Sequence, residues 1–291
     1  MSNTVFAAFV YPDSEEHLPK MFSSLSEQTD NDFDTVIFND GVQNIEGICE
    51  KFFTKAPDIR VVKGSIPKIR TLGLLQLKNL GYENVIFGDA DDSFAQNRVE
   101  VSKNLLRVHD LVVNEIDVHS VSTGKIFHGY FQKRIPLNSR FDFEAIRNCN
   151  FIGFTNSSVR ASKIPRIDFP DHITAVDWAL FSTIMLEGAN AYFTDDTTTT
   201  YLVHEKSHCD ILSNDLASNS YKARVKWQHY KYLCSVGFAF ERERRQYELL
   251  LNELTDMQFD DFHNQNSLSK CDHPLWWDIQ TTIGMEKVVD I

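Results

Sequence analysis

The chain has 291 residues, 42% of them hydrophobic and 24% charged, enough for one large globular domain or two small ones. A formal charge of −12 repels polyanions and argues against general nucleic-acid binding, though a small anion held by a metal and a few amides stays compatible with it. No apolar run reaches the length of a membrane span, and the N-terminal MSNTVFAAFVYPDSEE lacks the basic segment of a signal peptide.

The predicted elements alternate in period. Residues 5–11 read as a short buried strand, and Leu18, Met21, Phe22 and Leu25 follow at helical spacing. Residues 35–38 form a second apolar strand that ends at Asn39, Asp40 and Gly41. Ile45, Ile48, Cys49, Phe52 and Phe53 make a second helical stripe, residues 59–62 a third strand, and residues 69–80 a third helix closed by Gly81. A fourth strand, 84–87, runs directly into GDADDS at 88–93. Strands and helices alternating at this spacing predict parallel strands joined by crossover helices, an α/β domain with both sheet faces covered. Ligands of open parallel sheets collect at the carboxyl ends of the strands, where Asp40 and the acids at 89–92 fall.

Beyond residue 110 the pattern is shorter and mixed, with strand-like pieces at 111–113 and 125–127. A helix is marked by Trp178, Phe181, Ile184 and Met185 and ended by Gly188. Residues 191–193 and 197–203 read as extended, since consecutive threonines favour strand. Residues 219–257 look like a long helical region, and Trp276 and Trp277 stand in a tail without period. Five scattered cysteines with no C-x-x-C spacing predict reduced thiols and a cytoplasmic setting, and peripheral contact with the inner membrane face stays open.

GDADDS is the sharpest chemical signal. Three carboxylates within four positions repel one another unless a cation or hydrogen-bond donors compensate. Mn²⁺ or Mg²⁺ is commonly held by one or two such carboxylates together with nucleotide phosphates. The bland alternative is an acidic loop in which Asp92 or Ser93 caps the next helix.

Here the motifs carry a resemblance. LSEQT (25–29) followed by VIFNDG (36–41) resembles the opening of the GT-A glycosyltransferases of inverting family two. KIRTLG (68–73), DADD (89–92), DWAL (177–180) and YLVH (201–204) resemble its later motifs in the same order. The resemblance implies a GT-A, Rossmann-like, mostly parallel sheet flanked by helices over residues 1–208; it does not cover 209–291, which the helical pattern predicts to be a mainly helical extension. It implies that Asp40 holds the nucleotide base and that Arg70 lines the nucleotide pocket, with Tyr11 and Pro12 in the same donor site. Asp89 would lie near the ribose and sugar, Asp91 would hold the metal with Asp89 and His204 beside it, and Asp177 would be the catalytic base. The implied reaction is inverting transfer of a sugar from a nucleoside-diphosphate donor to a glycan or other hydroxyl acceptor, with uridine favoured on family frequency alone. Thr71, Val42, Val176 and Leu202 depart from the usual residues, and the last removes an arginine.

Two other function classes stay in view. One is a scaffold protein that kept the fold and lost catalysis. The other is a zinc protease, because HEKSH (204–208) matches H-E-x-x-H. That motif needs a helix, whereas the threonine-rich run ahead of it predicts a strand. Histidines four apart on a strand stand about 13 Å from one another, too far for one zinc.

Overall fold

The computed structural model describes residues 2–132, 135–204 and 216–256. His208, Cys209, Cys271, Trp276 and Trp277 lie outside the described residues. The first half builds the expected alternation: β1 (Thr4–Val10), α1 (Leu18–Ser26), β2 (Asp34–Asn39), α2 (Ile45–Cys49), β3 (Asp58–Val61), α3 (Ile66–Asn79) and β4 (Asn84–Asp89). Every residue of β1 is buried. Val5, Ala7 and Phe9 face one core cluster while Phe6, Ala8 and Val10 face the other, so a two-sided burial explains the unbroken apolar run. β1 pairs in parallel with β2 on one side and β4 on the other, and β2 pairs in parallel with β3. The chain therefore reverses its direction of sheet growth between β1 and β4, where such sheets open a crevice.

Several boundaries differ from expectation. Tyr11 lies one residue past β1, and a short 3-10 helix, Pro12–His17, follows it. The second helix stops at Cys49, so Phe52 and Phe53 reach the core from a turn, where both rings meet Phe22 edge-on. α3 starts three residues early because Ser65 accepts a hydrogen bond from the Lys68 amide and Pro67 suits a first turn. Gly73 on α3 rides directly over β1: a Cβ there would meet the Phe9 ring at 2.4 Å.

The second half turns the sheet. β5 (Ser93–Phe94) and α4 (Arg98–Leu106) lead into β6 (Leu111–Ser120), a ten-residue strand where only its first three residues were expected to be extended. β7 (Ile126–Phe127), β8 (Ser139–Phe141), β9 (Ser157–Arg160), α5 (Val176–Leu186) and β10 (Ala191–Val203) complete it. The sheet order is β3-β2-β1-β4-β9-β6-β10-β5, with β7 on β6 and β8 on β10. The two extended pieces expected at 191–193 and 197–203 are one strand, β10, whose register against β6 shifts between Thr194 and Thr198.

The long helical region divides into α6 (Leu216–Ser235) and α7 (Glu241–Asp256). Both share the large core cluster. His229 of α6 stacks on Trp178 of α5 at 3.8 Å, and Tyr230 stacks on Tyr247 of α7 at 5.6 Å. Cys49, Cys149 and Cys234 are free thiols. Among the described residues no helix is long and apolar enough to cross a membrane.

Candidate active site

The carboxyl ends of β1, β2 and β4 meet in one cleft. Tyr11 leaves β1 into a tight turn: its amide donates to Ser14 Oγ at 3.1 Å, and its carbonyl accepts from the Ser14 amide and hydroxyl. That turn leaves Pro12 exposed at the cleft mouth and brings His17 back over the strand ends. After β2, Asn39 Oδ1 accepts from the amides of Gly41 and Val42, at 2.9 and 2.8 Å, which fixes the loop bearing Asp40. Asp40 in turn lies 3.4 Å from Lys63 Nζ, a partner that the sequence reading did not find.

Arg70 projects from the buried side of α3. Its guanidinium sits 4.3 Å from both the Phe9 and the Phe154 ring centroids, and Nη2 donates to Asp89 Oδ1 at 3.0 Å. Burial opposes the charge, but the Tyr11 hydroxyl and the Asp89 carboxylate outweigh it, so the arginine pKa is raised. Among the described residues its Nη1 is buried without a hydrogen-bond partner, beside the buried Tyr11 hydroxyl. Polar atoms left so inside a cleft are suited to a ligand.

The three acids of the fourth-strand loop have separate fates. Asp89 faces Arg70. Asp91 Oδ2 lies 3.2 Å from His204 Nε2, although the two residues are 113 positions apart. Asp92 points into the protein, where it accepts from Thr155 Oγ1 and from the Leu202 amide at 2.9 Å. Burial, and then the neighbouring Asp91 and Asp89, push Asp92 well above the usual carboxylate range. Neither Asp92 nor Ser93 caps the next helix: Ser93 lies in β5, and α4 begins at Arg98 after Asn97.

Asp177 stands in the first turn of α5, across the cleft. One carboxylate oxygen accepts from the Trp178 amide at 2.8 Å. Burial raises its pKa to about 6, against the opposing pull of that hydrogen bond, of Arg70 and of Asn150, while Asp89 adds to the rise. The carboxylate is thus basic for an aspartate yet ionised at pH 7.

The cleft has a volume of about 830 Å³ and is lined by all eight residues singled out from the sequence: Tyr11, Pro12, Asp40, Arg70, Asp89, Asp91, Asp177 and His204. Sequence reading missed His17, Asn150, Phe154 and Tyr221, which line it as well. Phe154 lies in a stretch without period, and Tyr221 reaches the cleft from α6. Among the described residues no group of three or more His, Cys, Asp or Glu side chains is arranged to hold a metal on its own.

A model of glycosyl transferase family 2 matches residues 9–167. The chain belongs to that family. Its activity is therefore that of a glycosyltransferase, moving a sugar from a nucleotide-sugar donor. The matched span holds Tyr11, Asp40, Arg70, Asp89 and Asp91 and stops short of Asp177 and His204. No curated protein matches the chain.

Solved structures share the GT-A fold. S. aureus TarS 1-349 in complex with UDP-GlcNAc is 16% identical, with a TM-score of 0.59 over 88% of this chain and 72% of that one. The mannosyltransferase PcManGT from Pyrobaculum calidifontis, in complex with GDP-Man and Mn²⁺, is 12% identical, with a TM-score of 0.56 over 87% and 73%.

The departures from the family pattern have structural reasons in this glycosyltransferase. Thr71 Oγ1 accepts from the Phe169 amide at 3.1 Å, tying α3 to the loop before α5. Val42 closes the Asn39 turn and is buried, as is Val176 at the start of α5. Leu202 is buried, and its amide holds Asp92. His204 follows directly on β10, as the threonine-rich run predicts, and the rest of HEKSH lies outside the described residues.

Proposed function

We propose that the cleft binds a nucleoside-diphosphate sugar together with Mn²⁺ or Mg²⁺, and that Asp177 serves as general base for inverting transfer to a hydroxyl acceptor. The observation that carries this reading is one cleft in which Asp89 and Asp91 are ion-paired on the strand-end side while Asp177 opposite, in no ion pair among the described residues, has its pKa raised to about 6 by burial. Asp40 and Tyr11 would hold the nucleoside, with Pro12 at the entrance. Arg70 and Asp89 would fix the ribose and sugar.

Asp91 and His204 offer an oxygen and a nitrogen that already converge, and Asp89 has a second oxygen not bonded to Arg70. Such a set fits a hard or borderline divalent ion whose remaining positions are filled by diphosphate oxygens. When bound, the ion would offset the charge developing on the leaving diphosphate. PcManGT with GDP-Man and Mn²⁺ supports that chemistry, and TarS with UDP-GlcNAc supports a uridine donor, so the base is an open choice between these two.

In the transfer, the acceptor oxygen bonds to the anomeric carbon as the bond from that carbon to the diphosphate breaks. Asp177 takes the hydroxyl proton. We assign donor binding and catalysis to residues 1–208, and we assign 209–291 to the acceptor side, supported by Tyr221 of α6 lining the cleft.

The test is release of nucleoside diphosphate from a panel of UDP- and GDP-sugars with Mn²⁺. Release from one base class, abolished by chelation and by Asp91→Asn, is expected. Absence of release and of nucleotide binding across the panel would leave the catalytically silent scaffold, the reading that Val176 and Leu202 raise.

A further inference from the structure

His17 carries no role in the reading above, and no sequence motif includes it. It ends the 3-10 helix that follows β1, and its ring lies 4.9 Å from the ring of His204, tilted by 38°. His204 Nε2 lies 3.2 Å from Asp91 Oδ2, so three side chains from three distant parts of the chain line up along one edge of the cleft.

Within that line His17 differs from Lys63 and from Arg70 Nη2, whereas Arg70 Nη1 is, like it, buried without a partner among the described residues. Arg70 Nη2 is committed to Asp89, and Lys63 is turned to Asp40. Among the described residues, His17 Nε2 is buried and makes no hydrogen bond, and Glu16 Oε1 lies 3.9 Å away. A buried ring nitrogen without a partner destabilises the fold unless something fills the position. The surroundings favour an acceptor carried by a ligand, because the same cleft edge leads from Asp91 to the mouth at Pro12 and Asp13.

The buried side chain of Leu202 bears on the same point. It supplies no cation to this edge.

The geometry points to His17 as a direct ligand of the donor diphosphate, donating from Nε2 to a phosphate oxygen, with its ring held in place by His204. This rests on the donor-site reading proposed above. It adds a substrate-binding residue and assigns the 3-10 helix after β1 a task.

Two substitutions separate donation from packing. His17→Phe keeps a ring against His204 and loses the N–H; His17→Gln keeps a donor and loses the ring. Affinities of UDP and GDP with Mn²⁺, measured by calorimetry, are compared with NMR binding of uridine and guanosine. His17→Phe is expected to weaken the favoured nucleoside diphosphate about tenfold with its nucleoside unchanged, while His17→Gln stays within about threefold of the original. His17→Leu repeats the removal with a smaller side chain, and melting temperatures of all three confirm folding.

Undiminished diphosphate affinity in both His17→Phe and His17→Leu would overturn the proposal. So would His17→Gln losing as much as His17→Phe, which would mark His17 as packing for His204. Failure of the unaltered protein to bind either diphosphate is a separate outcome, since it overturns the donor site itself and the His17 contact with it.

Discussion

The two walls of the cleft treat their carboxylates differently. On the strand-end wall three half-buried acids have a cation or imidazole beside them: Asp40 with Lys63, Asp89 with Arg70, Asp91 with His204. On the opposite wall, among the described residues, Asp177 has only the Trp178 amide and a side-chain amide from Asn150 as hydrogen-bond partners, in a surround that includes Phe151 and Phe154. Paired acids offer binding, and at Asp89 burial raises the pKa even against Arg70. A desolvated acid without an ion-pair partner becomes a stronger base. The same residue type is thus divided between holding and reacting by its neighbours alone.

That contrast can be broken from the strand-end side first. Asp91→Asn should lower Mn²⁺-dependent turnover by about 10²–10³-fold, because charge stabilisation of the leaving group is the largest contribution asked of this wall. Turnover assays across a Mn²⁺ titration check it, and an unchanged metal optimum would contradict it. Next in size is Arg70→Met, which keeps the stem between Phe9 and Phe154 and strands Asp89. Stability should fall by about 1–3 kcal/mol, reduced from the fully buried case because the Asp89 side chain is 28% exposed. Urea unfolding reads this, and Arg70→Lys should recover only part of it, since an ammonium cannot stack between two rings as a guanidinium does.

The base wall predicts a pH dependence. Asp177, with a folded pKa of about 6, must be ionised to accept a proton, so turnover should fall about tenfold per pH unit below pH 6 and level off above it. Stability runs in the opposite sense. The folded pKa lies above the unfolded value, so keeping the carboxylate charged costs stability as pH rises from about 4 to about 6. A pH–rate profile flat from 5 to 8 would remove Asp177 from the proton transfer. The smallest effect is expected from Asp40→Asn, a few-fold rise in donor KM, because its partner Lys63 is 65% exposed and the pair is well screened.

The strand-end wall was legible because parallel strands buried on both faces leave continuous apolar runs, and the residues that stop those runs are the ones left at the cleft. Asp40 and Asp89 are found that way. Arg70 and Asp177 needed the family resemblance, since neither spacing nor composition singles out a helical arginine or an acid in a first helical turn. The partners were not legible. Lys63, Asn150 and Phe154 come from loops whose direction no period encodes, and His17 meets His204 only after a 3-10 turn folds back across 187 positions of sequence. Asp92 reads as a helix cap. It is not one, because it turns inward to Thr155 and to the end of β10.

The central claim is that binding and proton transfer belong to opposite walls, and Asp177→Asn tests it most directly when donor affinity and turnover are measured on the same preparation. The account predicts nucleoside-diphosphate affinity within about threefold of the original, turnover lower by about 10²–10⁴-fold, and a melting temperature at pH 7 that does not fall. Turnover that survives the substitution, or affinity that collapses together with turnover, would contradict it.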